Sequence, residues 1–471
     1  MLNVGLKRGW PFETGKKQQR GQALIYGIFV LVGGLAALFF LFNTGQLARE
    51  KTKLVNTTDA VAYSAGVMNA RALNFQAYTN RAMVANTVAI AQLVSLSSWV
   101  EYANNLGNFG LVANNPKFAL FWPSYWGATT AGPTLQSSLN DSTSLQRLAR
   151  TSDQIIRNAL MRSQLAAYAG LLPARLQVMN EVAQANYIND GMVVVDPVPL
   201  TVIDYTSFVS GYSGDERTRF AEVAKVSANK DSFVPRRSWR LPALWSDCPS
   251  ATATGRVDWF DRRGGTELLG FDEWKAVDSL SEKRWVPKNK TDVLCRAVAE
   301  TPAGWGSVGA TDNAASFNLD PRLYDFALPI NPGSTAIALA TSSSWGYSGL
   351  PNFYDLSPSA QGEADPKLRF AIRVRRDKSQ TQTSEARSTI RNSANLNAYQ
   401  SQMAGGNEMA AVSASEVFFQ RDGDIKDNEY GRSLGKPREI GNLFNPFWQV
   451  RLTHSDTDIK KAQLLQGAVL P

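Results

Sequence analysis

Residues 23–42 read A-L-I-Y-G-I-F-V-L-V-G-G-L-A-A-L-F-F-L-F, an uninterrupted apolar run behind a basic leader that ends in Lys16, Lys17 and Arg20. A helix of about twenty residues rises about 30 Å, the thickness of a bilayer's hydrocarbon core, and no charge interrupts this one. Thirteen of its positions are Leu, Ile, Val or Phe, each favouring insertion by roughly 0.3–0.6 kcal/mol at a helix centre. The run predicts a transmembrane helix over residues 23–43. A cleaved secretory signal is the rival reading, but its apolar region is nearer 7–15 residues and closes on a small-x-small site. Here the run ends F-F-L-F-N-T-G.

The flanks set an expected orientation. Lys7, Arg8, Lys16, Lys17 and Arg20 precede the run, and Arg49, Lys51 and Lys53 follow it. This modest basic excess predicts an N-terminus on the cytoplasmic side. No later segment approaches eighteen consecutive apolar residues, so the expectation is a single-pass protein with its mass on the far side.

Beyond the run, Leu54, Val61, Met68 and Phe75 recur every seven residues, and Ala82, Ala89 and Leu96 continue the series. One long helix is predicted to leave the membrane with this seam on one face. Asn56, Asp59, Asn69, Arg71, Gln76, Asn80 and Arg81 lie between the seam positions and predict a solvated opposite face. The seam serves either an ordinary core or a contact between subunits, and its period does not choose between them. Within the apolar run, Ala23 with Gly27 and Gly33 with Ala37 offer small faces for close helix contact.

Residues 106–135 are rich in Asn, Gly, Pro and aromatics, which predicts a turn-rich break. From 136 to 187 helical period returns, with Pro173 expected to break or kink it. Strand-like runs are read at 192–197, 200–203, 256–260, 370–374 and 416–419, with a helix over 217–229. Gly, Ser and Pro stretches at 301–318 and 331–362 are read as connections. The predicted organisation is a basic leader (1–22), a transmembrane helix (23–43), a helical stalk or bundle (44–187) and an α+β outer domain (188–471), which is one domain or two.

The chain carries a formal charge of +8, two cysteines and one histidine. The basic groups form small clusters, Arg236-Arg237, Arg262-Arg263 and Arg373, Arg375, Arg376, so nucleic acid is not an expected partner. Cys248 and Cys295 stand in the outer part, where an oxidising compartment lets them pair. Two buried thiols are the alternative. They cannot complete a four-ligand zinc set without a neighbouring histidine. His454 lies in a polar stretch near the end of the chain, a poor place for a catalytic triad. Asp258, Asp261, Glu267, Asp272, Glu273 and Asp278 gather near Arg262, Arg263 and Lys275, which reads as a solvated, charge-balanced surface. Asp422, Asp424, Asp427 and Glu429 read as a turn, since Gly423 is misplaced for a calcium loop. No G-x-x-x-x-G-K-[ST] phosphate-binding loop occurs, and neither an enzyme nor a cofactor is expected.

Arg20-Gly21-Gln22-Ala23, the apolar run, Leu47-Ala48-Arg49 and the stretch L-V-N-T-T-D-A-V-A-Y-S-A-G at 54–66 resemble the N-terminal signature of TadE/TadG-like proteins of Flp (Tad) pilus assembly. Residues 442–449, N-L-F-N-P-F-W-Q, resemble tails of larger members of that family. The resemblance implies a bacterial inner-membrane protein with a periplasmic domain, working as a minor pilin-like subunit or an assembly scaffold. Its implied partners are the lipid bilayer and other pilus or secretion-machine membrane subunits. It also points to Gly21 and Gln22 as a processing junction. Pilins cleaved there carry Glu at the fifth position after the glycine, where this chain has Tyr26. That departure favours an uncleaved anchor. A von Willebrand A domain, found in some large relatives, carries a D-x-S-x-S motif, and Asp141-Ser142-Thr143-Ser144 and Asp278-Ser279-Leu280-Ser281 have the wrong spacing for it. The reading from a different class is a membrane-tethered binding protein, an adhesin or receptor, that uses the helix only as an anchor.

Overall fold

A computed structural model describes residues 20–108, 145–196, 200–311, 326–381, 408–421, 439–453 and 460. The loop read at 106–135 lies, from residue 109 on, outside the described residues, as do His454 and the acidic group at 422–429.

The fold is α+β and is threaded on one helix. Helix α1, Arg20–Asn108, runs for 89 residues, about 130 Å at 1.5 Å per residue. Over 23–42 it is exposed throughout, and from Leu54 onward the rest of the molecule packs around it. Helix α2, Leu145–Gln154, continues through one π-helical segment, Ile155–Leu160, into α3, Met161–Ala185. Pro173 sits inside α3, so the predicted break does not occur there. Helix α3 lies antiparallel to α1, with Gln164 beside Gln76, Arg175 beside Asn69 and Asp190 beside Lys53.

Three sheets complete the wrap. Strands β1 (Val194–Val195), β9 (Leu368–Asp377), β10 (Glu408–Phe419) and β11 (Trp448–Thr453) form an antiparallel sheet in the order β1-β9-β10-β11. Its inner face meets the lower part of α1. Phe370, Ile372 and Val374 share a core with Leu54, Val61, Ala62 and Ala65. A two-stranded sheet pairs β2 (Val209–Tyr212) with β8 (Phe353–Leu356). The third sheet has the order β3 (Arg237–Pro242), β4 (Trp259–Leu269), β5 (Glu273–Pro287), β6 (Cys295–Thr311) and β7 (Ser343–Gly346). All its pairs are antiparallel except β6–β7. It packs on the upper part of α1, where Met83, Ile90 and Val94 join Trp274, Ala276 and Val308, and Tyr102 and Leu106 join Phe260 and Leu280. Helix α4 (Leu200–Phe208) packs beside β9 and helix α5 (Thr218–Ala228) beside α1, and α6 (Pro332–Ala340) covers the far face of β5 and β6.

Residues 331–362, read as a connection, hold α6, β7 and β8, and three further features depart from the sequence reading. Residues 200–203 open helix α4 rather than a strand. The small-residue stretch 301–311, read as a connection, lies within β6, the 17-residue strand next to β5. A β-carbon on Gly306 would stand 2.2 Å from the Ser98 carbonyl oxygen, and one on Gly304 would stand 2.8 Å from the Tyr102 ring. The glycines are there because α1 lies directly on the strand, and they disguise it as a turn.

The third departure is in α1 itself. Its buried stripe is Thr58, Ala62, Ala65, Asn69, Ala72, Gln76, Asn80, Met83, Thr87, Ile90, Val94 and Ser98, each at most 8% exposed. That spacing is the 3.6-residue period of a straight helix. A seven-residue series drifts from it by about 20° per heptad. Leu54 and Val61 are accordingly buried, Met68 is half-buried and Phe75 is 39% exposed. Asn69, Gln76 and Asn80, expected in solvent, face the core.

Candidate assembly interface

The part of α1 that could meet other molecules begins with its apolar lead. Leu24 to Phe42 present their large side chains at 48–75% exposure. Ala23 and Ala37 are exposed, and open space surrounds Gly27 and Gly33. These positions are free of contacts within the described residues. Gly21 and Gln22 lie in the first turn of α1. The lead is long and apolar enough to cross a membrane, and none of its most apolar window is buried in the fold.

Just past the lead the folded part takes hold. Leu47 packs against the core shared by α1, α3 and β9. Arg376, whose side chain is fully buried, pairs with Glu50 at 3.2 Å and with Asp190 at 3.2 Å. Lys53 reaches the other oxygen of Asp190 at 2.5 Å. Both cations lie over the Tyr187 ring, at 4.4 and 4.3 Å. Burial pushes the Asp190 carboxyl up, but hydrogen bonds from Arg376 and Lys53 outweigh it and hold the carboxyl below its ordinary value. A buried pair of this kind costs more when one partner is lost than it contributes when complete. It therefore fixes how the exit of α1 sits against the foot of the fold.

Higher up, buried amides and hydroxyls on α1 tie the surrounding layers to it. Asn69 accepts from Arg175 at 2.7 Å. Gln76 donates to the Gln164 carbonyl at 3.1 Å, and Gln164 donates to Asn80 at 2.7 Å. Asn80 donates to the carbonyls of Tyr354 and Leu443 at 2.8 and 2.7 Å. Asn105 donates to the Trp305 carbonyl at 2.8 Å. Each fixes the register of one layer along the helix, because a slip would strand a buried polar group. Burial pulls Arg175 down to about 10, and its guanidinium lies 4.8 Å from the Phe370 ring centre.

At the top, Ser98 donates to Asp278 at 2.7 Å, and Arg262 and Arg237 hold the other oxygen of that carboxylate at 2.6 and 3.2 Å. Arg262 stacks 3.8 Å from the Tyr102 ring centre. Glu101 accepts from the Ser307 amide at 3.2 Å and the Ser343 hydroxyl at 2.9 Å. Burial pushes its carboxyl up to about 7 against those bonds, with the charge of Asp278 adding to the rise.

Half of the acidic group read as a solvated surface is interior. Asp258, Asp261 and Asp278 are at most 1% exposed. Asp261 is held by Arg240 and Arg263, each at 2.9 Å. Asp258 accepts from the Ser246 hydroxyl and from the amides of Asp247 and Trp285. The carboxylates of Asp247, Asp258 and Glu282 converge within 4.8 Å, but Asp258 already spends its oxygens on these three donors. Charge counting missed this because the acids and arginines share a sheet rather than a surface. Cys248 and Cys295 are joined as a disulfide with Cα atoms 6.3 Å apart. It ties the turn ahead of β4 to the start of β6.

A groove of about 970 Å³ runs between α1 and α5, floored by Ala85, Val88, Val223 and Val226 with Arg81 and Lys230 at its rim.

These features define a helix-threaded α+β protein whose spine projects as an exposed apolar rod. The rod and the first buried turns of the spine carry a known signature: residues 21–72 match the family model of Flp pilus-assembly TadE/G-like proteins. The match spans the apolar lead, the exit at Glu50 and Lys53 and the first turns of the buried stripe. No curated protein and no solved structure matches the chain.

Proposed function

We propose that this chain is a membrane-anchored structural or assembly component of a Flp/Tad pilus or a related secretion apparatus, as a minor pilin-like subunit or a scaffold. The observation that carries the proposal is the coincidence of the family match at 21–72 with the stretch where one helix passes from exposure on all sides to burial of one face. An apolar rod left bare by its own fold needs lipid or other apolar helices around it. Residues 23–42 cross the inner membrane once, the basic leader stays in the cytoplasm and the folded part stands in the periplasm, where the cysteines pair. The small residues Ala23, Gly27, Gly33 and Ala37 let neighbouring membrane subunits approach the helix closely. The proposal assigns the chain no reaction.

The test is genetic and biochemical together. Deleting the gene from its native cells should abolish pilus or secretion-apparatus assembly, and pilus-machine subunits should co-purify with the full chain in mild detergent. Normal assembly in the deletion strain would overturn the proposal. N-terminal sequencing of the mature chain then separates the two roles. A start at Gln22 marks a processed subunit, and an intact leader confined to the inner membrane marks a fixed scaffold.

A further inference from the structure

We infer that the far end of the third sheet, where β5 turns into β6, is a docking surface for an acidic segment of a partner protein. The inference goes beyond the assembly role above and rests on it only in taking the apolar lead as the end held in a membrane. Gly306 lies against Ser98, and Gly304 against Tyr102 and Leu106, so β6 runs antiparallel to α1. Its residues 295–303 continue past the level of Leu106, for about 30 Å at the rise of a strand. Residues 42–106 of α1 add about 95 Å below that level. The β5–β6 turn therefore stands at the end of the described fold opposite the lead, out of reach of a bilayer that holds the lead.

This end carries cations that its own fold leaves unmatched. Arg256, Lys288, Lys290 and Arg296 are exposed, and none makes an ion pair among the described residues. Against them stand Asp247 and Asp292, and the Asp292 carboxylate already accepts from the Leu294 amide at 2.9 Å. Asp258 and Glu282 are buried, and Glu300 is paired with Lys283. The platform beneath is braced. Arg256 lies 4.8 Å from the Trp285 ring centre, Trp285 meets Trp259 edge-on at 5.9 Å, and Arg240 lies 5.1 Å from the Trp259 ring centre. The Trp285 indole donates to the Val257 carbonyl at 3.1 Å, the Cys295 amide donates to Ser250 at 2.9 Å, and the disulfide from Cys248 to Cys295 ties the two segments together. Groups held this firmly lose little freedom when a partner binds.

Charge makes the occupant acidic, since clustered cations recognise acidic motifs and steer them in. Apolar side chains make it a protein. Val293 is 85% exposed and Leu294 41% exposed in the same turn, and Leu244, just past β3, is 70% exposed. A nucleic acid binds such a surface by stacking bases on rings, but Trp259 and Trp285 already carry Arg240 and Arg256. Aliphatic side chains among cations instead fit a segment that alternates carboxylates with apolar residues.

The probe is a fluorescein-labelled peptide of repeating Glu-Glu-Leu, titrated by anisotropy against the full chain in mild detergent, with a Gln-Gln-Leu peptide as the uncharged control. Lys288→Glu, Lys290→Glu and Arg296→Glu together should weaken binding about tenfold or more. Arg71→Glu, Arg81→Glu and Lys230→Glu together, at exposed cations far from this end, should change it by less than about twofold. Val293→Asp, which sets a like charge at the most exposed side chain of the turn, should weaken binding in the same direction and serves if the triple variant fails to fold. Equal losses in the two triple variants would reduce the effect to overall charge and overturn the inference, as would a wild-type chain that binds the two peptides alike or neither. An oligodeoxythymidine or a heparin fragment that displaces the peptide and depends on the same three cations more strongly would assign the end to a polyanion of another class and overturn it too. Flotation with phospholipid vesicles tests the anchor separately: a chain that floats but does not bind the peptide loses this inference alone.

Discussion

Asn74 and Trp448 exchange two hydrogen bonds across 374 residues of sequence: the Asn74 amide donates to the Trp448 carbonyl at 2.9 Å, and the Trp448 backbone N–H donates to Asn74 Oδ1 at 3.0 Å. The side chain does what a neighbouring strand would do and closes the start of β11 onto α1. Asn74→Ala should leave both Trp448 groups unmet and destabilise the protein by about 2 kcal/mol or more. Urea unfolding of the full chain in detergent, followed by tryptophan fluorescence, would measure it. A midpoint equal to wild type would show that water replaces the amide without cost.

The contact between α1 and β6 grades its glycines. Gly306→Ala sets a methyl against the backbone of Ser98 and Tyr102, which cannot rotate away, and should cost about 3 kcal/mol or more. Gly304→Ala meets the edge of the Tyr102 ring, which can shift, and should cost less. Gly346→Ala meets nothing within 4 Å and should stay within about 0.5 kcal/mol of wild type. The order of the three unfolding midpoints is the measurement.

Glu101 gives the protein a pH signature. Its carboxyl is raised to about 7 in the folded chain, so the folded state holds this proton more tightly than the unfolded chain does. The stabilisation is complete below the ordinary carboxylate range and is lost as pH rises through about 7. Glu101→Gln should flatten the fall in urea midpoint between pH 5 and 8. An identical slope in the two proteins would place the titrating group elsewhere.

The disulfide closes a loop of 47 residues that contains all of β4 and β5. Replacing Cys248 and Cys295 together by Ser should lower stability by about 4 kcal/mol in the chain-entropy estimate. Alkylation followed by non-reducing and reducing electrophoresis gives the covalent readout, with a mobility shift expected on reduction for the wild type alone.

The sequence disclosed the lead and the class of fold more fully than it disclosed the spine's role. The apolar run of twenty marked the exposed lead, and the strand-like runs at 370–374 and 416–419 and the helix read over 217–229 fall in β9, at the end of β10 and in α5. The buried face of α1 was not visible, because it is built from Asn69, Gln76, Asn80, Thr87 and Ser98 alternating with alanines, and polar letters read as solvent. Burial of such residues requires partners far away in sequence, and only the folded chain supplies them. The same holds for β5, where Lys275, Asp278, Ser279, Ser281 and Glu282 are all buried between α1 and α6. Pro173 misled in the opposite direction, since α3 absorbs it without ending.

The 89-residue continuity of α1 has a mechanical consequence. A force applied to the upper sheet does not reach the apolar rod through a hinge or linker, because the same backbone carries both. The load enters as shear shared by every layer clasped along the shaft, the loading direction in which many bonds must fail together.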